Sequence, residues 1–137
     1  MTSAPFRLQQ IDHVLLLVTG LDRALSFYED VLGAEVETRM PAHAMVELRA
    51  GLSRIALVDI KDPRGSWAQP SVAGGRNIDH VAFRLAAGSH VEELRVYLNQ
   101  HRIGIIEERE ESDGYSLYVK DPDDTTIELI VERNQDK

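Results

Sequence analysis

Ile11-Asp12-His13-Val14 returns as Ile78-Asp79-His80-Val81, 67 positions later. Four identical residues in register point to a duplicated unit, and the residues after each copy support that reading. After His13 come Leu15-Leu16-Leu17-Val18 and a helical pattern ended by Gly33; after His80 come Ala82-Phe83-Arg84-Leu85 and a second helical pattern ended by Gly104. The chain reads as two βα units, each opened by a histidine on a strand.

In the first unit, alternation places Ile11, His13, Leu15 and Leu17 on one face and Val14, Leu16 and Val18 on the other, as in a strand covered on both sides. Leu21, Ala24, Leu25, Tyr28, Val31 and Leu32 then recur at helical spacing, with Asp22 in the first turn and Gly33 as a left-handed terminator. Strands over 35–38, 44–49 and 54–60 complete a βαβββ unit. In the second unit Val81, Phe83 and Leu85 face a helix, leaving His80, Ala82 and Arg84 on the opposite side. Ser89 with Glu92 suits a capping box, and Val91, Leu94, Tyr97 and Leu98 form the apolar stripe. Strands fit 103–107, 115–120 and 126–132, with Asp121-Pro122-Asp123-Asp124 as a tight turn. The expected fold is α+β, with module 1 at about 9–60, a linker at about 61–76 rich in Pro and Gly (Pro63, Gly65, Pro70, Gly74-Gly75), and module 2 at about 77–133.

At 137 residues the chain suits one domain. A net charge of -8 argues against a nucleic-acid partner, because phosphate binding needs clustered Lys and Arg. The absence of cysteine excludes disulfides, thiolate nucleophiles and Cys-ligated zinc. No apolar run approaches the roughly 20 residues of a spanning helix, and residues 1–10 lack a signal-peptide core, so a cytoplasmic protein without a membrane partner is expected.

Glu128 shares a strand face with Thr126 and Ile130, while Ile127, Leu129 and Val131 share the face toward the helix. Glu128 therefore lies on the side of the histidines. A carboxylate among Ile127, Leu129 and Ile130 is costly to desolvate unless a cation or hydrogen-bond donors satisfy it. His13, His80 and Glu128 together make a 2-His-1-carboxylate set with open positions. Alternation adds Ser116, Tyr118, Glu47, Arg49 and Arg84 to the concave faces. Arg49 and Arg84 are candidates for bidentate binding of a substrate anion, or partners in salt bridges. Glu47 is a candidate base, with His43 a lesser one.

These residues resemble the vicinal oxygen chelate superfamily, which includes glyoxalase, bleomycin-resistance, fosfomycin-resistance and extradiol dioxygenase proteins. The resemblance runs through the strand from Ile11 to Val18, Leu21-Asp22-Arg23-Ala24-Leu25-Ser26-Phe27-Tyr28 into Val31-Leu32-Gly33, the strand from Asn77 to Leu85, and Asp121-Pro122-Asp123-Asp124 into Ile127-Glu128-Leu129. It implies paired βαβββ modules forming cupped mixed sheets, a homodimer with sites built from both chains, and metal ligands at His13, His80 and Glu128. Aligning Arg54-Ile55-Ala56-Leu57 with Thr126-Ile127-Glu128-Leu129 puts Ala56 where four-ligand members carry a further carboxylate. That departure argues against glyoxalase I isomerase activity.

The stretch Ser112-Asp113-Gly114-Tyr115-Ser116-Leu117-Tyr118 resembles the substrate loop of fosfomycin-modifying transferases, which implies substrate contacts at Ser112, Ser116 and Tyr118. Leu15 and Glu108 depart from that pattern, where a threonine and a lysine are expected. Extradiol ring cleavers also carry a tyrosine ten residues before the carboxylate ligand, which matches Tyr118, but their acid–base histidine has no clear match here. The expectation is a divalent-metal enzyme using Fe(II), Mn(II), Co(II), Ni(II) or Zn(II) on a small substrate with adjacent oxygens. Glu128, Tyr118 and Glu47 are its catalytic candidates, and an oxygenase ranks slightly ahead of a lyase or transferase. The competing class is a drug-sequestering protein without catalysis.

Overall fold

A computed structural model of the chain describes residues 4–5, 7–68, 78–112 and 114–133. In the first module β1 (Val14–Val18) leads into α1 (Leu21–Leu25), which continues as a π-helical turn (Ser26–Val31), and then into β2 (Glu35–Met40), β3 (Met45–Ala50) and β4 (Ser53–Asp59). The second module has β5 (Val81–Arg84), α2 (Val91–Gln100), β6 (Glu107–Glu111), β7 (Gly114–Lys120) and β8 (Thr126–Glu132). The sheets run β1-β4-β3-β2 and β5-β8-β7-β6. In each, the first strand pairs parallel with the last and the remaining pairs are antiparallel. Parallel pairing needs a long connection, which the helix and two strands provide, while the last three strands follow as antiparallel neighbours.

Alternation sorts the side chains. Leu16, Val18, Leu48 and Leu57 of the first sheet, with Leu117, Val119, Ile127 and Leu129 of the second, turn inward. They join Leu25, Phe27, Tyr28 and Leu98 in one core cluster that spans both modules. A fully buried Leu such as Leu48 or Leu98 contributes about 1.5–3 kcal/mol.

A polar tie also links the halves. The buried Asp121 accepts from the Tyr28 hydroxyl at 2.6 Å and from the backbone N–H groups of Asp123 and Thr125, each at 2.8 Å. Asp123 accepts from the Thr19 hydroxyl and, at 3.0 Å, from Arg23. The Phe27-Tyr28 helix and the Asp121-Pro122-Asp123-Asp124 turn, separate in sequence, thus form one hydrogen-bonded joint. Burial, with Asp121 adding to it, pushes the Tyr28 phenol far up, so it remains a donor.

The helix ends differ from each other. Gly33 takes the expected left-handed conformation, φ 81. At α2 that position falls to Arg102, φ 61, rather than to Gly104. Arg102 N–H donates to Asn99 O and Ile103 N–H to Leu98 O, a Schellman arrangement. Ile103 packs against the core, which offsets the roughly 1–2 kcal/mol cost of left-handed backbone at a non-glycine residue. The expected capping box does not form, because the helix begins at Val91 with His90 as N-cap. Ser89 instead donates to Ala86 O at 2.8 Å, and Glu92 pairs with Arg95.

The strand expected over 103–107 lies at Glu107–Glu111, and the apolar residues Ile103 and Ile105 are its lead-in, packed on the core. Every residue of β6 is exposed, so hydrophobic alternation cannot mark it, and its charges guard a sheet edge. In the expected linker, Pro63–Ala68 forms a 3-10 turn. Gly65 is required there because a Cβ would stand 2.0 Å from Asp59 O. Pro70, Gly74-Gly75, Asn77 and Asp113 lie outside the described residues. Among the described residues no helix is long and apolar enough to cross a membrane.

Candidate functional site

His80 precedes β5 by one residue, and Glu128 sits in the middle of β8 opposite Ala82 of β5 and Tyr118 of β7. Because side chains alternate, Glu128 and Tyr118 face the side opposite Ile127, Leu129 and Leu117, which go to the core. His80 Nε2 lies 3.0 Å from Glu128 Oε1. The other carboxylate oxygen accepts from Ser116 Oγ at 2.6 Å. Only 12% of the Glu128 side chain is exposed, so these partners supply much of the polar contact that water would otherwise give.

Tyr118 stands edge-on to the His80 ring, with centroids 6.0 Å apart. Desolvation, with the charge of Glu128 and a hydrogen bond to it, pushes the Tyr118 phenol above its ordinary value. His80 Nδ1 meets Asp79 Oδ1 at 2.8 Å. That bond, opposed by burial and aided by Glu128, raises the imidazole above 6.5.

The equivalent positions of the first sheet carry other residues. Ala56 pairs with Leu15 as Glu128 pairs with Ala82, and with Glu47 as Glu128 pairs with Tyr118. The place of a further carboxylate ligand is therefore held by a fully buried methyl group. Glu47 is half-buried beside it, with no side-chain partner among the described residues. Arg49 is held by Glu37 at 2.7 Å, and Glu37 also takes Arg54 at 3.0 Å. Partial burial works to raise Glu37, but the two guanidiniums hold it below 4.5. Arg84 is half exposed, 3.5 Å from Glu132.

Of the residues expected in the site, His80, Glu128, Ser116 and Tyr118 are brought together. His13 is not among them: its Nδ1 meets Asp12 Oδ2 at 2.8 Å, and among the described residues no three His, Asp or Glu side chains converge to hold a metal. Ser112 is exposed in the β6–β7 turn, where its carbonyl accepts from Arg133. His43 backs onto Trp67, whose Nε1 donates to the His43 carbonyl. Glu108 turns to α2, where Arg95 holds it at 2.7 Å.

Sequence reasoning missed Arg109. It lies opposite Ser116, with its guanidinium carbon 5.5 Å from the Tyr118 ring centre. Its signal is hidden in the sequence because residues 107–111 are charged and exposed throughout, so no hydrophobic alternation marks the strand that carries it.

The donor set at His80 and Glu128 is imidazole nitrogen and carboxylate oxygen, already in contact, with Ser116 and Tyr118 as hydroxyl donors on the same face. This chemistry suits a first-row divalent cation of intermediate hardness, with imidazole and carboxylate as ligands.

The family described as Glyoxalase/Bleomycin resistance protein/Dioxygenase superfamily matches residues 10–129. A metallothiol transferase FosB from Staphylococcus saprophyticus is 30% identical over 95% of this chain and 82% of its own. A FosB from Lysinibacillus sphaericus is 27% identical over 94% and 86%. A solved lactoylglutathione lyase from Agrobacterium tumefaciens superposes with a TM-score of 0.69 at 23% identity, covering 89% of this chain and 92% of that one. The fosfomycin resistance protein FosX from Listeria monocytogenes superposes at 0.70 with 19% identity, covering 93% and 96%.

Proposed function

This chain belongs to the Glyoxalase/Bleomycin resistance protein/Dioxygenase superfamily, and from that premise we propose a divalent-metal enzyme that transfers a group to a small substrate bearing adjacent oxygens. The observation that carries this reading is the contact of His80 with Glu128 at 3.0 Å, with Ser116 and Tyr118 on the same strand face. His80 and Glu128 of one chain and His13 of a second copy would hold the metal in a homodimer. Fe(II), Mn(II), Co(II), Ni(II) and Zn(II) all suit such ligands. The cation supplies Lewis acidity and open positions for substrate oxygens.

The chain's own residues do the rest. Ser116 donates to Glu128 and orients that carboxylate, the Tyr118 hydroxyl would turn to a substrate oxygen, and Glu47, which shares the first sheet with His13 and would come with it from the second copy, takes a proton. Arg84 is the freer cation for an anionic substrate group, since Arg49 is engaged by Glu37. Transfer is preferred to the oxygenase expected from sequence for two reasons. The relative at 30% identity is a metallothiol transferase. The histidine set edge-on against Tyr118 is His80, already assigned to the metal.

The test is metal analysis of protein purified without chelator, followed by incubation with Mn(II), L-cysteine and fosfomycin and a search by mass spectrometry for the conjugate. Stoichiometric metal that is lost in Glu128→Ala, together with conjugate formation, supports the reading. Metal-free protein that binds an aromatic drug tightly would overturn it in favour of sequestration.

A further inference from the structure

The two imidazoles share a feature that the proposed chemistry does not use. Asp12 Oδ2 lies 2.8 Å from His13 Nδ1, and Asp79 Oδ1 lies 2.8 Å from His80 Nδ1. Neighbouring side chains within a strand point to opposite faces, so a carboxylate there cannot reach the ring beside it. The chain avoids this because β1 begins at Val14 and β5 at Val81, one residue after each histidine. Each Asp-His pair thus sits in irregular backbone, free to fold the carboxylate onto its neighbour.

The same bond forms twice, 67 residues apart, although the strands beyond it have diverged, with Leu15 against Ala82 and Ala56 against Glu128 in equivalent places. The aspartates are not structural supports. Their side chains are 75% and 96% exposed, and an exposed ion pair contributes little to stability. Their consequence is chemical. A neutral imidazole carries one N–H, and a carboxylate at Nδ1 draws that proton to Nδ1 and leaves the lone pair on Nε2. In the second half Glu128 also faces Nε2 at 3.0 Å, so without metal both ring nitrogens of His80 meet a carboxylate, and Asp79 holds the proton on Nδ1 once a cation occupies Nε2.

We propose that Asp12 and Asp79 are positioning residues, each fixing its histidine as the Nδ1–H tautomer with Nε2 presented to the metal. This rests on the reading of His13, His80 and Glu128 as ligands. Partners of this kind typically tune metal affinity by about 10–100-fold. The two are not equal: Arg54 stands 4.0 Å from Asp12 and also pairs with Glu37, whereas Asp79 has no cationic side chain other than His80 beside it among the described residues. Asp12 is therefore the better anchored, and its removal should leave His13 with the larger loss of order.

The experiment titrates Mn(II) into the full-length metal-free protein, comparing wild type with His80→Ala, Asp79→Ala, Asp79→Asn and Asp12→Ala. Long-range nitrogen–proton NMR at pH 9 reads the His13 tautomer in metal-free wild type and Asp12→Ala. Expected are binding abolished in His80→Ala and weakened about 10-fold or more in both Asp→Ala variants. Asp79→Asn, which keeps an acceptor in place, should restore most of the affinity. Both Asp→Ala variants should melt at the wild-type temperature at pH 9 without metal, and in Asp12→Ala the Nδ1–H tautomer of His13 should give way to a mixture.

Mn(II) binding that depends on His80 but is equal in wild type and both Asp→Ala variants would overturn the inference and leave the metal site standing. If wild type binds no Mn(II), the metal reading fails instead. The NMR spectra then decide the inference, and an unchanged His13 tautomer in Asp12→Ala would end it.

Discussion

The two modules share a topology and differ in what they place on it. Across the centre of the second sheet run Ala82, Glu128, Tyr118 and Glu107; across the first, in the equivalent places, run Leu15, Ala56, Glu47 and Thr38. One half offers a carboxylate held by a histidine and a serine. The other offers a buried methyl group beside a carboxylate that has no side-chain partner among the described residues. The hydrophobic faces are interchangeable because burial asks only for apolar volume, whereas a metal or substrate asks for particular atoms. The scaffold repeats and the chemistry does not.

The sharpest way to break this comparison is to exchange the key positions. Glu128→Ala should lower activity by at least about a thousandfold, since Lewis-acid stabilisation is worth several kcal/mol and each 1.4 kcal/mol is tenfold. Turnover of a fosfomycin-type substrate measures it, and activity within tenfold of wild type would mean the second sheet is not the reactive half. Ala56→Glu should cost about 3 kcal/mol of stability in metal-free protein, because position 56 is fully buried and no cation stands there. Urea unfolding would detect it, and a neutral result would show that the first half tolerates a ligand after all.

The joint between the halves comes next. Asp121→Ala removes one acceptor from three donors and should destabilise by about 3 kcal/mol, seen as a lower urea midpoint with unchanged slope. Tyr118→Phe should reduce turnover by about 10–100-fold with little change in melting temperature, as expected of a hydroxyl that serves substrate rather than fold.

The smallest effects are pH dependences, and the halves should show opposite signs. Glu37 in the first module is held below 4.5, so its contribution is present above that pH and is lost as pH falls through the lowered value. His80 in the second is raised above 6.5, so in metal-free protein its contribution is complete below 6.5 and is lost as pH rises through the raised value. Thermal melts of Glu37→Gln should flatten the acid limb, and those of Asp79→Asn the limb above neutrality. Both groups lie near the surface, so the slopes should be shallow.

Much of the fold was legible because burial leaves a periodic trace. The apolar runs of β1, β4 and β8 and the stripes of both helices gave their elements, and the repeated tetrapeptide gave the duplication. Strand β6 left no trace, since all its residues are exposed, and it carried Arg109 out of sight with it. Residue type alone points to Gly104 as the terminator of α2. Packing of Ile103 placed the left-handed residue at Arg102 instead.

By itself the sequence determined which residues share a face, since side-chain direction follows from position along a strand. That was enough to set Glu128, Ser116 and Tyr118 together, and aligning the two repeats puts Ala56 in the place that Glu128 holds in the second. Only the tertiary structure decided which faces meet. It put the His80 ring against Glu128, left His13 with Asp12 elsewhere, turned Glu108 to α2, and joined Tyr28 to Asp121 across 93 residues. Those pairings depend on strand register and on helices packing against distant turns, and local periodicity holds no record of either.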